Sequence, residues 1–356
     1  IGKPLGIGGI AMAGIIGIIR QAGIIKQSLG MAVSELGGKK SAGETKRTDK
    51  DISMKVILSV LIAVLVSVLV FFRVGVLENW WLSAVALIVV FVIAFLFTTV
   101  AANAIAIVGT NPVSGMTLMT LILASVVMAG LGLNGTTGML AALIMGSVAC
   151  TALSMSGSFV TDLKIGYWIG TTPKKQEQWK FLGTLVSAAT VAGVMILLNE
   201  TYGFASGQLA APQANAMAAV IEPLMNGAGA PWLLYAIGAV LAIVLTWMKV
   251  PALAFALGMF IPLELNTPIL IGGALNWYVT TRSKDESVNK LRGEKGTLIA
   301  SGFIAGGALM GVVSALMRFM GYNFINDAWL ANPWSEALAL VMYIALMVYL
   351  VKATKK

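Results

Sequence analysis

Histidine is absent from this chain of 356 residues, and cysteine occurs once, at Cys150. The first absence removes the usual proton-switching side chain and the commonest metal ligand. The second leaves no intrachain disulfide framework and no thiolate cluster for a bare metal ion. Cys150 lies in the apolar run 139–155 and reads as a small packing residue rather than a reactive thiol. Charge is also scarce, at 11% of residues where a soluble domain carries about a quarter. No G-x-x-x-x-G-K-S/T phosphate loop, H-E-x-x-H zinc helix or G-x-S-x-G nucleophile elbow occurs. These residues therefore offer no ATPase motor and no visible catalytic pair, so the chain does not read as an enzyme. Residues 1–4 carry no charged n-region or cleavage site of a signal peptide. The chain opens on Ile1 and is expected to begin within a longer protein.

What is present is apolar. Hydrophobic residues make up 58% of the chain and fall into long blocks. Blocks of about 20 are what a hydrocarbon core about 30 Å thick demands. Backbone groups inside lipid must be paired within the segment, so such blocks are helices or closed barrel strands. The alternating ten-residue pattern of barrel strands is missing, and the helical reading wins. Candidate spans cover 7–25, 52–72, 80–108, 112–133, 139–155, 181–198, 232–248, 252–275, 297–317 and 334–351. The expected fold is an all-α polytopic transmembrane helix bundle with broken or re-entrant helices, one membrane domain over 1–356. Trp80, Trp81, Trp179, Trp232, Trp247, Trp277 and Trp334 sit near span ends, where an interfacial aromatic belt would lie.

Orientation follows from the loops. The loop 26–55 holds seven basic residues against four acidic, 162–180 four against two, and 282–295 five against three. With Lys352, Lys355 and Lys356 of the tail, these regions carry 19 of the 24 basic residues. All four are expected in the cytoplasm, with 26–55 as a cytoplasmic basic loop. The net charge of +9 thus reads as positive-inside bias, and no nucleic-acid partner is expected. The stretch 199–231 has Glu200 and Glu222 but no Lys or Arg, and belongs outside.

Parity then exposes a problem. A single crossing by 252–275 would put the basic loop 282–295 and the basic tail outside. The conflict disappears if 252–275 enters and turns back. Ile261-Pro-Leu-Glu-Leu-Asn-Thr-Pro268 supplies the break, with two prolines flanking a Glu and an Asn. Irregular backbone at that depth is tolerated only inside protein or beside a water-filled cavity. A second break is expected at 109–115, entered from the opposite side, which would suit an inverted repeat framing a central site.

At these breaks the chain resembles a known family. Gly109-Thr-Asn-Pro-Val-Ser-Gly-Met-Thr117 resembles the Asn-Pro element of the oligopeptide transporter (OPT) family. Gly258-Met-Phe-Ile-Pro-Leu-Glu-Leu-Asn-Thr-Pro-Ile-Leu-Ile-Gly-Gly273 is similar to the most recognisable stretch of its prokaryotic branch. Asp162-Leu-Lys-Ile-Gly-Tyr-Trp-Ile-Gly-Thr-Thr-Pro173, Ala211-Pro-Gln-Ala214 and Ser301-Gly-Phe-Ile-Ala-Gly-Gly307 fit in consistent order. The resemblance implies a secondary transporter of oligopeptides driven by the proton gradient, in a prokaryotic inner membrane. It implies partners too: the lipid bilayer, a small peptide or peptide-like substrate, protons as coupling ion, and an N-terminal half of the same transporter. No cofactor is expected. The alternative substrate is a metal chelate, siderophore-like or nicotianamine-like, as in the yellow stripe-like branch. A channel or an intramembrane enzyme is the more distant reading.

Seven residues carry the candidate substrate or proton path, each with a plainer reading beside it. Glu264 is an acidic residue in an apolar stretch at the 261–268 break. A buried carboxylate there should face a cavity or carry a proton, but it could equally cap a half-helix or sit at the interface. Asn266 and Thr267, with Asn111, Ser114 and Thr117, offer neutral donors and acceptors for a peptide, or else satisfy backbone freed by the prolines. Glu222 could gather protons at an outer vestibule or be a solvated loop residue. Asn103 and Asn276 read as interhelical hydrogen-bonding groups. Gly302-x-x-x-Gly306 and Gly307-x-x-x-Gly311 have helix-packing spacing. Asp162 and Lys164 are expected to pair with each other or with Lys174 and Lys175.

Overall fold

The computed structural model describes residues 2–20, 22–23, 26, 30, 46–108, 113–204, 206, 212–225, 231–260, 263–322 and 326–355. The fold is all-α, and no strand occurs among the described residues. The long helices are α1 (Gly2–Arg20), α2 (Met54–Phe72), α3 (Trp80–Val108), α4 (Val113–Gly130), α5 (Gly135–Ile169) and α6 (Pro173–Tyr202). They continue as α7 (Pro212–Met225), α8 (Trp232–Trp247), α9 (Ala252–Phe260), α10 (Leu263–Thr280), α11 (Glu286–Phe319) and α12 (Pro333–Lys355). Seven helices of the described chain are long and apolar enough to cross a membrane, and α8 and the run Met116–Gly130 of α4 are shorter apolar helices.

The chain divides into two compact units, Ile1–Gly183 with Ala211–Ile261, and Thr184–Ala210 with Pro262–Lys356. In the first unit, one core gathers Ile7 and Ile10 of α1, Phe97 of α3, Leu118 of α4, Leu153 of α5 and Tyr235 of α8. A second gathers Phe72, Val90, Leu121, Met128, Met145 and Ile221. Helix α1 lies against both α8 and α9 and buries residues 6–10 there. It approaches α8 at Gly8 and Gly238, where a Cβ on either glycine would strike a carbonyl oxygen of the other helix, Tyr235 O or Leu5 O. Small residues permit backbones to meet this closely, and in lipid such close packing is what holds helices together.

Helix α2 runs on into a π-helical turn, Arg73–Leu77, that ends with Glu78 at φ 49°. The left-handed residue stops the helix, and Asn79 restarts it by accepting from Trp81 N–H at 2.9 Å at the head of α3. Helix α5 has 35 residues, about 52 Å of rise, and α6 has 30, about 45 Å. Both overrun a core about 30 Å thick, so the expected spans 139–155 and 181–198 mark only their apolar parts. Gly170, at φ 77°, closes α5 in the left-handed conformation, and Thr171 N–H returns to Gly166 O at 2.9 Å.

In the second unit, α10, α11 and α12 pack together near one end. Gly293 faces Thr280, Gly296 faces Thr354, and the rings of Phe303 and Tyr349 meet edge to face at 6.1 Å. Tyr278 receives both Arg282 and Lys355 over its ring, at 4.6 and 5.1 Å. Further along α11 the glycine stripe is open, although Ala315 beyond it is buried. No described atom lies within 4 Å of a Cβ built on Gly302, Gly306, Gly307 or Gly311, so the expected packing role of that stripe has no partner among the described residues.

A second expectation is corrected in the first unit. The stretch 199–231 contains the helix α7, whose Val220, Ile221, Leu224 and Met225 are buried against α4 and α5. It is not simply an outer loop. Fourteen residues with Gln, Asn, Glu and Pro among them give no long apolar block, which is why hydropathy alone passes over it.

Candidate functional site

Of the expected break at 261–268, residues 263–268 are helical in α10, while α9 ends at Phe260. Helix α9 has nine residues, about 14 Å, far short of a crossing. Residues 261 and 262 lie outside the described ones, and α10 starts at Leu263. Glu264 is thus the second residue of a helix, where the amide dipoles favour a negative charge. Its side chain lies outside the described residues. Asn266 is partly buried. Thr267 is exposed, and its hydroxyl donates to Leu263 O at 2.9 Å, covering one carbonyl of the first turn. Pro268 sits inside α10 as its sixth residue without ending it, so the carbonyl four residues before it has no N–H donor from that position.

Of the expected break at 109–115, residues 113–115 are helical in α4, while α3 ends at Val108. Residues 109–112, Asn111 among them, lie outside the described residues, and Ser114 is described only as helical backbone of α4. Thr117, one turn in, is 5% exposed, and its hydroxyl lies 3.0 Å from Cys150 Sγ on α5. The lone cysteine therefore does what a small packing residue does, with a weak hydrogen bond added. Beside this break Ala13, Gly17, Phe97, Met116, Met119 and Leu253 line an apolar cavity of about 60 Å³. That is room for a water or two at about 30 Å³ each, but not for a peptide, and its walls are almost wholly apolar.

The two sets of break residues belong to different units: Ser114 and Thr117 to the first, Glu264, Asn266 and Thr267 to the second. Glu222 is exposed on α7, one residue before Pro223, rather than in a loop. Asp162 pairs with Lys180, not with Lys164, Lys174 or Lys175. Lys164 instead lies over the exposed rings of Tyr167 and Trp168 at 5.3 and 5.4 Å. Neither Asn103 nor Asn276 makes an interhelical side-chain hydrogen bond among the described residues.

Among the described residues, Arg73, Ser125, Thr171 and Tyr235 each bury a polar side-chain atom without a hydrogen-bond partner, and none was singled out in the sequence. The Tyr235 hydroxyl sits in the first core with the ring 8% exposed, and it finds no hydrogen-bond partner among the described residues. Arg73 holds its guanidinium 5.4 Å from the Trp80 ring centroid, while its buried Nε is likewise unpartnered. Tyr235 lies in an apolar span where nothing distinguishes it from an interfacial aromatic. Arg73 follows an apolar run directly, the one visible sign that it would be held at a membrane boundary.

The candidate belt tryptophans are all exposed, from Trp232 at 60% to Trp247 at 86%. Apolar helices that turn such rings and so many aliphatic side chains outward belong to an integral membrane protein of the polytopic helix class. Within that class, the chain belongs to the OPT oligopeptide transporter protein family, whose profile matches residues 3–318. It is similar to a Haemophilus influenzae protein named "Putative oligopeptide transporter", 28% identical over 240 residues, covering 58% of this chain and 38% of that protein. The chain thus spans well under half the length of that relative. No solved structure matches it.

Proposed function

We propose that this chain is part of a secondary active, proton-coupled transporter of oligopeptides. It sits as one membrane domain in a prokaryotic inner membrane, with the loop 26–55 and the C-terminus in the cytoplasm. One observation carries the reading: the family match over residues 3–318 takes in the whole of the interrupted pair α9 and α10. A half-helix end presents unpaired N–H and C=O groups, which receive the charged ends of a peptide. Glu264 at the head of α10 is the proton carrier. In the second unit Asn266 and Thr267, and in the first Asn111, Ser114 and Thr117, each provide neutral hydrogen-bonding groups for a peptide backbone, and Glu222 gathers protons on the outer side. The N-terminal half of the transporter completes the substrate cavity.

The test is uptake of a labelled tripeptide by the full-length transporter in proteoliposomes, with and without an inward proton gradient. The wild type accumulates peptide only with the gradient, whereas Glu264→Gln loses accumulation and keeps exchange. Equal uptake by both returns Glu264 to a capping role. Uptake of an iron chelate in place of peptide moves the substrate to metal-chelate complexes.

A further inference from the structure

We propose that Asp51 and Glu177 form a one-proton latch that fastens residues 46–52, the end of the basic loop, onto the turn between α5 and α6. Losing the shared proton loosens it. The contact is built on the long α5–α6 hairpin within the first unit. Arg47, on a short 3₁₀ turn, donates to Gly170 O at 2.7 Å and to Thr172 Oγ1 at 3.1 Å. Lys174 N–H donates to Lys50 O at 3.0 Å. Four residues of the loop's end thereby lie across the first turn of α6, and they bring two carboxylates to one amide. Ile52 N–H donates to Asp51 Oδ1 at 2.8 Å and to Glu177 Oε2 at 3.0 Å.

Two carboxylates sharing one donor hydrogen cannot both stay ionised without repulsion, and a proton held between them removes it. Glu177 precedes the apolar run of α6, on the polar part that carries Lys174, Lys175 and Lys180, so it lies outside the hydrocarbon. Burial, then the hydrogen bond and charge of Asp51, push its carboxyl up from 4.5 to about 7, against the opposing pull of Ile52 N–H. The charged groups on the elements around it are Lys46, Arg47, Asp49 and Lys50 on the segment, Lys55 on α2, Asp162 and Lys164 on α5, and Lys174, Lys175 and Lys180 on α6. Of these, Arg47 is occupied by the turn, Lys180 by Asp162, and Lys164 by two aromatic rings.

The docked carboxyl binds its proton more tightly than the free one. Docking is therefore fully favoured below 4.5, weakens as pH rises towards about 7, and is weakest above that. At a neutral or alkaline cytoplasmic face the latch is loose, and acidification tightens it. That placement rests on the proposed topology, but the latch itself can be read without any substrate. In the whole chain in lipid nanodiscs, amide hydrogen exchange over 46–53, corrected for its intrinsic pH dependence, is compared at about pH 5.5 and about pH 8. Protection in the wild type falls by about tenfold or more with rising pH. Glu177→Gln removes that pH dependence and Asp51→Asn reduces it, since burial of Glu177 remains, while amides in the apolar middle of α6 stay protected and report that the protein is folded. Equal protection at both pH values in the wild type, or an unchanged slope in the variants, overturns the latch. Two variants guard against either one misfolding, and a failed transport assay leaves the exchange result standing.

Discussion

Gly8 and Gly238 are the residues on which the packing of the first unit turns, because α1 and α8 meet there backbone to backbone. Gly238→Val would drive a branched side chain into the Leu5 carbonyl, and neither helix can yield without losing its other contacts. Overpacking of this kind costs about 1–3 kcal/mol. Gly193 on α6 has nothing within 4 Å, so Gly193→Val should shift stability by no more than about 0.5 kcal/mol for its packing, beside a small helix-propensity gain of Val over Gly. Thermal unfolding of the two variants in the same detergent checks the contrast, and equal midpoints would mean that the α1–α8 contact is not the close one described. Nothing in the sequence singles out these glycines from the 39 in the chain. Spacing shows which face of a helix a neighbour can approach closely, whereas the neighbour's identity depends on the fold.

Among elements, what lipid demands was legible and what protein supplies was not. Helix α3 begins and ends at Trp80 and Val108, as its apolar block requires, whereas α10 already runs from Leu263, so the polar residues expected in a break between two prolines are helical. The ends of α5 and α6 were not legible, because beyond the membrane a helix is continued by capping and by polar contacts rather than by hydropathy. Helix α7 was hidden for the same reason: its stability comes from burial against α4 and α5. Helix α11 presents the reverse case, a glycine stripe with the right spacing and an open face. Replacing Gly302 and Gly306 by Leu meets no described atom and exchanges glycine for a good helix former, worth up to about 1 kcal/mol per site in an exposed helix. The thermal midpoint of the double variant should therefore hold or rise slightly. A fall would show that this face is covered in the protein as it exists.

For the molecule as a whole, α7 bears on the direction in which the chain runs. With the loop 26–55 inside, α2 to α6 cross in turn and bring residues near Asn199 to the outer side. If α7 does not cross, α8 leads inward, and α9 with α10 must enter and turn back to keep 282–295 and the tail in the cytoplasm. If α7 did cross, α8 would lead outward, α9 and α10 together would cross once, and the same basic regions would still be inside. Loop charge at the two ends is satisfied by both, so the loop after α8 must decide between them. Helix α7 rises about 21 Å over 14 residues, short of the roughly 30 Å that a crossing needs. Lys249, exposed just past the end of α8 with φ 61°, is a basic residue in that loop, and positive charge is retained on the inside. Both point to the first path. In a Cys150→Ser background, Lys249→Cys in the full-length transporter should resist a membrane-impermeant thiol reagent in intact cells and react once the cells are opened. Glu222→Cys, exposed on α7, should react in intact cells. Labelling of position 249 from outside would make α7 a crossing element and α9–α10 a single broken span, and the re-entrant reading would fall.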